Sequence, residues 1–262
     1  MSTIESLKMK KVNGEKISCL TAYDASFASL FYSAGVDILL VGDSLGMVVQ
    51  GKETTIPVTL EEVIYHAQCV KRGAPEAFII VDLPFSSYFS VETALESAAQ
   101  VLKQSGAQVV KLEGGKNRLP VVAALAEQGI PVCGHLGLLP QSVHKKSGYR
   151  VQGKSEVDAD AIYQDALGLE QAGADFLVLE CVPASLAARI SQALSIPVIG
   201  IGAGSGCDGQ VLVSYDMLAL TKGKRPKFSR DFMQGSDSIE AAVKTFIADV
   251  KQGVFPGEEH SF

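Results

Sequence analysis

The chain has no tryptophan, and aromatic residues make up only 7% of its 262 positions. Platforms for stacking nucleic-acid bases are therefore scarce. Acidic residues outnumber basic ones, 29 to 23, for a formal charge of −6. That balance excludes a broad nucleic-acid-binding face and leaves room only for a local basic pocket. Five cysteines, Cys19, Cys69, Cys133, Cys181 and Cys207, form no CxxC pair. Odd in number and scattered through apolar segments, they read as reduced core thiols of a cytoplasmic protein. No apolar run approaches the roughly 20 residues of a membrane span. The segment MSTIESLKMKKVNGEK lacks the apolar stretch of a secretory leader. No linker or charge block interrupts the chain, so 1–262 is expected to form a single domain with a last helix near 237–252 and a tail. Walker and GxSxG motifs are missing. GIGAG (200–204) fails the GxGxxG fingerprint, because Ser205 and Cys207 stand where its last glycine would fall. It reads instead as a tight turn after a strand, with close backbone approach to a ligand.

What the chain has is a repeat. Short apolar runs recur at 17–24, 37–44, 77–85, 108–115, 130–138, 175–182 and 196–204, with a weaker one at 209–218. Runs of this kind suit strands buried on both faces of a parallel sheet. Between them lie segments with helical spacing, several opened by capping residues (Thr59 before Glu62, Ser90 before Thr93) and closed by glycine (Gly35, Gly73, Gly106, Gly129, Gly173). SAGVDILLV, QSGAQVVKL, EQGIPVCGH and QAGADFLVL all read helix, glycine turn, strand. Eight such units predict a (β/α)8 TIM barrel. An open doubly wound sheet is the alternative. The stretch 221–236 is polar and reads as a loop.

A barrel carries its chemistry where its strands end. The runs end at or contain Tyr23-Asp24, Asp43-Ser44, Asp82, Lys111 with Glu113, His135 and Glu180. Lys111 and Glu113 are two apart on a strand and face the same side. Asp43, Asp82 and Glu113 would converge from neighbouring strands, and crowded carboxylates repel unless a cation sits among them. Oxygen donors with no His/Cys cluster favour Mg²⁺. Any one of these acids alone reads equally well as a helix cap or a loop anchor. Glu180, flanked by Leu179, Cys181 and Val182, is set for a raised pKa, which suits a general base; a structural partnership with Lys111 or His135 is the other reading. His135 can orient substrate or be a satisfied core histidine. His66, on a helix, and His144 and His260, in loops, read as ordinary.

The strings LTAYD (20–24), VGDSLGMVVQG (41–51), DLPF (82–85), VKLEGG (110–115), VCGHLGLLPQS (132–142), GYRVQGK (148–154), LVLECVP (177–183), IPVIGIGAG (196–204) and PGEEHSF (256–262) occur in this order. Together they closely resemble the ketopantoate hydroxymethyltransferase family, from about Ile17 onward. The resemblance implies a barrel of the phosphoenolpyruvate mutase/isocitrate lyase type, assembled as a cytoplasmic homodecamer. It implies transfer of a one-carbon unit from 5,10-methylenetetrahydrofolate, a cosubstrate, to 3-methyl-2-oxobutanoate, with Mg²⁺ required. It gives Asp43 and Asp82 as metal ligands, with Glu113 completing the metal environment. Asp43, Ser44, Asp82 and Lys111 match the family's contacts to the 2-oxo acid, and Glu180 matches its proton acceptor. Two positions depart from the family: Leu139 stands where Thr is common, and Ala219 where Gly is usual. A carbon–carbon lyase of the same superfamily is the nearest enzymatic rival, but the cysteine loop such lyases use is not found. A non-catalytic barrel is a further alternative, against which all the strand-end acids are retained.

Overall fold

Among the described residues, eight strands pair in parallel, each with the next in the chain, and the eighth closes on the first. They are β1 (Ile17–Thr21), β2 (Ile38–Val41), β3 (Ile79–Asp82), β4 (Val109–Glu113), β5 (Val132–Gly137), β6 (Phe176–Glu180), β7 (Val198–Ile201) and β8 (Gly209–Leu212). The computed structural model describes residues 2–144, 150–221, 223 and 225–262. Gly148 and Tyr149 of the GYRVQGK string, and Lys222 and Lys224 of the polar stretch, lie outside the described residues.

Among the described residues, ten α-helices accompany the strands: α1 (Ile4–Val12), α2 (Ala25–Ala34), α3 (Leu45–Val48), α4 (Leu60–Gly73), α5 (Val91–Ser105), α6 (Leu119–Glu127), α7 (Glu156–Gln171), α8 (Ala184–Ala193), α9 (Ser214–Met217) and α10 (Ile239–Lys251). Their starts follow local chemistry. Thr59 and Glu62 form the reciprocal capping box that their spacing predicts, and Ser90 accepts from the Thr93 amide. Asp24 caps α2 by accepting from the amides of Ser26 and Phe27, so this strand-end acid is structural. Gly35 and Gly106 close α2 and α5 in the left-handed conformation.

The strands bury both faces. Outward residues such as Leu39, Val81, Val110 and Leu177 join the helices in one core. Inward residues, among them Ile17, Ile38, Ile80, Val109, Phe176, Ile199 and Val211, fill the barrel. Leu7 of α1, fully buried, joins that inner cluster. The lysines of α1 reach groups at the N-terminal ends of the strands: Lys8 pairs with Asp175 at 2.9 Å, Lys10 with Asp37 at 2.7 Å and Lys11 with Asp208 at 2.7 Å. Helix α1 therefore closes the barrel floor and leaves the opposite end as the open mouth.

Two details differ from the repeat read in the chain. The segment 209–218 is strand only over Gly209–Leu212, because Ser214–Met217 turns into a helix. The connection from β7 to β8 is residues 202–208 alone and contains no helix. It lies against α8 so closely that a Cβ at Gly204 or Gly206 would stand 2.5 or 2.7 Å from the Cβ atoms of Ala184 and Ala188. Helix content in the seventh unit is thus replaced by a glycine-rich strap pressed onto the preceding helix.

Candidate active site

Alternation along the strands carries the inward series up to the mouth. Above the apolar layers, β1 presents Thr21, β3 Asp82, β4 Lys111 and Glu113, β5 His135 and β6 Glu180. With Asp43 and Ser44, from the turn after β2, they line one cavity of ≈ 480 Å³. All six residues picked out in the sequence, Asp43, Ser44, Asp82, Lys111, Glu113 and Glu180, are brought together there, and His135 joins them.

Register explains the contacts. Asp82 and Lys111 are direct neighbours across β3 and β4, and Lys111 Nζ stands 2.9 Å from Asp82 Oδ1. Glu113 and His135 are neighbours across β4 and β5, with Oε1 3.7 Å from Nδ1. Glu180 Oε2 lies 3.1 Å from His135 Nε2, at ion-pair distance but without hydrogen-bond alignment. Asp82 Oδ2 accepts from the Asp43 amide at 3.1 Å. A Cβ at Gly42 would stand 2.8 Å from Ser44 Oγ and 3.3 Å from Asp82 Oδ2, so the turn needs glycine to let them close up. Ser44 Oγ is itself held by Tyr23 Oη at 2.8 Å.

The charges are strongly coupled. Burial, then the neighbouring Asp82, pushes Asp43 up to about 7. Burial, then Asp43, holds Glu113 well above the usual carboxylate range. Burial alone would lower Lys111, but Asp82, Asp43 and Glu113 outweigh it and hold the ammonium charged. Burial, assisted by Lys111, pulls His135 well down, which keeps its ring neutral. Burial pushes Glu180 up to about 7, with Lys111 opposing and Asp82 reinforcing. A carboxylate poised near neutrality inside a cavity is the property a general base requires.

Among the described residues, no three His, Cys, Asp or Glu side chains form a ready-made metal cage. What exists is a crowded pair, Asp43 and Asp82, with Glu113 beyond it. Asp82 Oδ1 is shut off from solvent without an aligned hydrogen-bond donor. Two hard oxygen donors, one ion-paired to Lys111 without an aligned hydrogen bond and one held near neutrality by burial and then by its neighbour, fit a small divalent cation that takes one or two carboxylates and fills its other positions with water or substrate.

The sequence reading missed the residue that ties this end together. Gln141 Nε2 donates to Asp43 Oδ2 at 2.8 Å and to the Leu83 carbonyl at 3.0 Å. Its Oε1 accepts from the Tyr88 hydroxyl, and its backbone amide donates to Glu113 Oε2 at 3.2 Å. The Leu83 carbonyl can only accept, which fixes the orientation of the amide group. The Arg118 guanidinium lies 5.0 Å over the Tyr88 ring. Gln141 follows β5 in an unremarkable Pro-Gln-Ser turn, and only the tertiary fold sends its side chain back across β4 and β3. The GIGAG turn has left-handed Gly202 (φ +59°) and Gly204 (φ +76°), as a tight turn requires. Its close approach is to the side chains of Phe228 and Phe262, which stand 3.0–3.1 Å from where a Gly202 Cβ would be. His66 binds the Tyr23 carbonyl at 2.7 Å from outside the barrel, in keeping with an ordinary role.

An eight-stranded parallel barrel with carboxylates, a lysine and a histidine at its mouth defines a class: the (β/α)8-barrel enzymes that carry their chemistry where the strands end. Phosphonopyruvate hydrolase, solved with oxalate and Mg²⁺, has this fold with a TM-score of 0.65 at 12% identity, over 99% of this chain and 93% of that one. 2,3-Dimethylmalate lyase has it with a TM-score of 0.59 at 18% identity, over 84% of each chain. Within that class the chain belongs to the ketopantoate hydroxymethyltransferase family, whose model matches residues 1–258. It is 55% identical over 260 residues to the 3-methyl-2-oxobutanoate hydroxymethyltransferase of Thiobacillus denitrificans, covering 99% of both chains. It is 54% identical over 260 residues to that of Alkalilimnicola ehrlichii, covering 99% of this chain and 94% of the relative.

Proposed function

We propose that this barrel performs the reaction its family is named for, on 3-methyl-2-oxobutanoate, with 5,10-methylenetetrahydrofolate as the one-carbon donor and Mg²⁺ as the metal. The observation that carries this reading is the meeting of Asp43, Asp82, Lys111, Glu113 and Glu180, from four different strands or strand ends, in one cavity. Asp43 and Asp82 would hold the ion, with Glu113 acting on it through water, since the Gln141 amide stands at its carboxylate. When bound, the ion supplies Lewis-acid polarisation of the substrate's keto group.

The chain's own residues supply the rest. Lys111, held charged, stabilises negative charge growing on the substrate's oxygens. Ser44, fixed by Tyr23, donates to the substrate carboxylate. Glu180 takes the proton from C3. Carbon C3 of the resulting enolate then bonds to the donor's methylene carbon. Both carbon–nitrogen bonds from that carbon to the folate break, one in favour of the new carbon–carbon bond and the other in favour of a hydroxyl group from water, and the protons lost by C3 and by the water end on the two freed nitrogens. One water is consumed for each 2-dehydropantoate and tetrahydrofolate released. Neutral His135, 3.1 Å from Glu180, keeps the base from facing a second fixed charge.

Family membership also supports a homodecamer in the cytoplasm. The exposed edge-to-face pair Phe85 and Phe89 is apolar surface that such an assembly would cover. No helix among the described residues is long and apolar enough to cross a membrane. The direct test mixes the purified chain with Mg²⁺, 5,10-methylenetetrahydrofolate and 3-methyl-2-oxobutanoate and follows 2-dehydropantoate by NMR. A folded, metal-loaded protein that forms none would refute the reading, and sedimentation as a monomer would refute the assembly.

A further inference from the structure

The mouth of the barrel is chemically divided. The side formed by β2, β3 and β4 carries the carboxylates and Lys111. Strands β7 and β8 lie on the far side of the closed ring, and there the cavity wall is Ile201, Val213, Pro226, Phe228 and Phe262. One carboxylate interrupts that apolar wall. Asp216, in α9 just after β8, is buried yet lines the cavity. The mechanism above does not use it.

Asp216 is held firmly. Its Oδ1 accepts from Thr221 Oγ1 at 2.6 Å. Helix α9 is pinned to β1 by the Ser214 amide, which donates to Thr21 Oγ1 at 2.9 Å. Beneath it, Met217 accepts through its carbonyl from the Phe232 amide at 2.9 Å. Arg225, the cation nearest in influence, stands 3.6 Å from Asp231 instead. The other face of the pocket is equally set. Phe228 and Phe262 rest on the bare backbone of Gly202, and Lys227 lies 4.8 Å over the Phe262 ring with its ammonium donating to the Ser261 carbonyl. The result is a carboxylate with a fixed edge lining the same cavity as two aromatic rings.

A small branched oxo acid cannot fill ≈ 480 Å³, a volume in the range that accommodates drug-sized ligands. Flat apolar walls with one anionic edge select a planar heterocycle whose rim carries paired N–H donors, because a carboxylate accepts two parallel bonds from an amidine-like edge. We propose that Asp216 and the Phe228–Phe262 wall bind the pterin ring of the folate cosubstrate, with Asp216 accepting from its 2-amino-pyrimidinone edge. This inference rests on the reaction proposed above, and it places the donor ring across the cavity from the metal-binding acids.

The test is Asp216→Asn. Asparagine keeps the volume and the acceptor for Thr221, but it turns an NH₂ group toward the ring's donors. The KM for 5,10-methylenetetrahydrofolate and the Kd for tetrahydrofolate, measured by calorimetry on the Mg²⁺-loaded enzyme, should both rise about 10- to 100-fold, the loss expected for a charge-assisted hydrogen bond. The Kd for 3-methyl-2-oxobutanoate should stay within about twofold, because the acid side is untouched. Thr221→Val, which removes only the support, serves as the structural control and should leave folate affinity within about threefold. Unchanged tetrahydrofolate binding in Asp216→Asn, equal weakening of both substrates, or the same loss in Thr221→Val would each overturn the assignment. Because tetrahydrofolate binding is read without turnover, a wild-type protein that binds it through Asp216 but forms no 2-dehydropantoate would uphold this site and refute the proposed reaction.

Discussion

Glu180 shows how one residue's setting becomes a pH profile. It faces His135, Lys111 and Asp82, and burial leads its shift up to about 7. A base works unprotonated, so kcat/KM should fall about tenfold per pH unit below 7 and level off above it. Glu180→Gln should remove that limb and lower C3 deuterium exchange by a factor on the order of 10²–10⁴ while leaving Mg²⁺ affinity nearly unchanged. Exchange that survives in this variant removes Glu180 as the base. Gln141 makes the complementary case. Replacing it with Leu strands the Tyr88 hydroxyl and the Leu83 carbonyl and frees the Asp43 carboxylate. Mn²⁺ or Mg²⁺ titration of Gln141→Leu should show affinity reduced about 10- to 100-fold, the usual cost of losing a ligand's hydrogen-bonded support. Affinity equal to wild type would reduce Gln141 to a packing residue. Asp43, Asp82, Lys111, Glu113 and Glu180 were legible as candidates because each is charged at the end of an apolar run. Gln141 was not, because a neutral residue in a turn gives no sign of where its side chain points.

At the scale of elements, the two departures from the family fall on turns. Leu139 occupies the cap position of the short 3₁₀ turn Pro140–Ser142 and offers no side-chain cap, where Thr would provide an oxygen. Ala219 follows α9 with φ +55°, a region costing an L-residue about 1–2 kcal/mol and glycine nothing. That is the physical reason glycine suits this position. Ala219→Gly should therefore stabilise the protein by about 0.5–1 kcal/mol after the entropy glycine loses on folding. The melting temperature should rise by about 1–4 °C. A fall would mean that the turn relaxes around alanine. Helix starts at Thr59 and Ser90 were readable because capping is local chemistry. The strand-to-helix switch inside 209–218 was not, because Val211, Leu212 and Val213 continue an apolar run whose end depends on where the barrel mouth lies.

For the whole molecule, the two ends of the barrel have separate duties. The floor is closed by α1 through Leu7 and three lysine pairs, and the mouth holds the chemistry. Leu7→Ala should cost about 3 kcal/mol in urea unfolding by leaving a cavity among the inner residues. It should leave kcat within about twofold, since mutations far from the site act independently. A large loss of kcat without loss of stability would show that floor and mouth are coupled. The N-terminal segment is weakly amphipathic, which hid its role: one leucine faces the barrel and the lysines around it look like solvated charges.

The repeat of buried strands and amphipathic helices, the helix caps, and the acids at strand ends were all readable from the chain, because they follow from short-range periodicity and local hydrogen bonding. The eight-unit count already predicted a closed barrel, and the pairing of β8 with β1 decided it over the open sheet; the loss of a helix between β7 and β8 and the use of α1 as a floor came only with the tertiary structure. So did the encounter of Gln141 with Asp43, 98 positions earlier in the chain. Contacts between residues far apart depend on strand register and on the twist that closes the sheet, and neither leaves a mark on any single stretch of sequence.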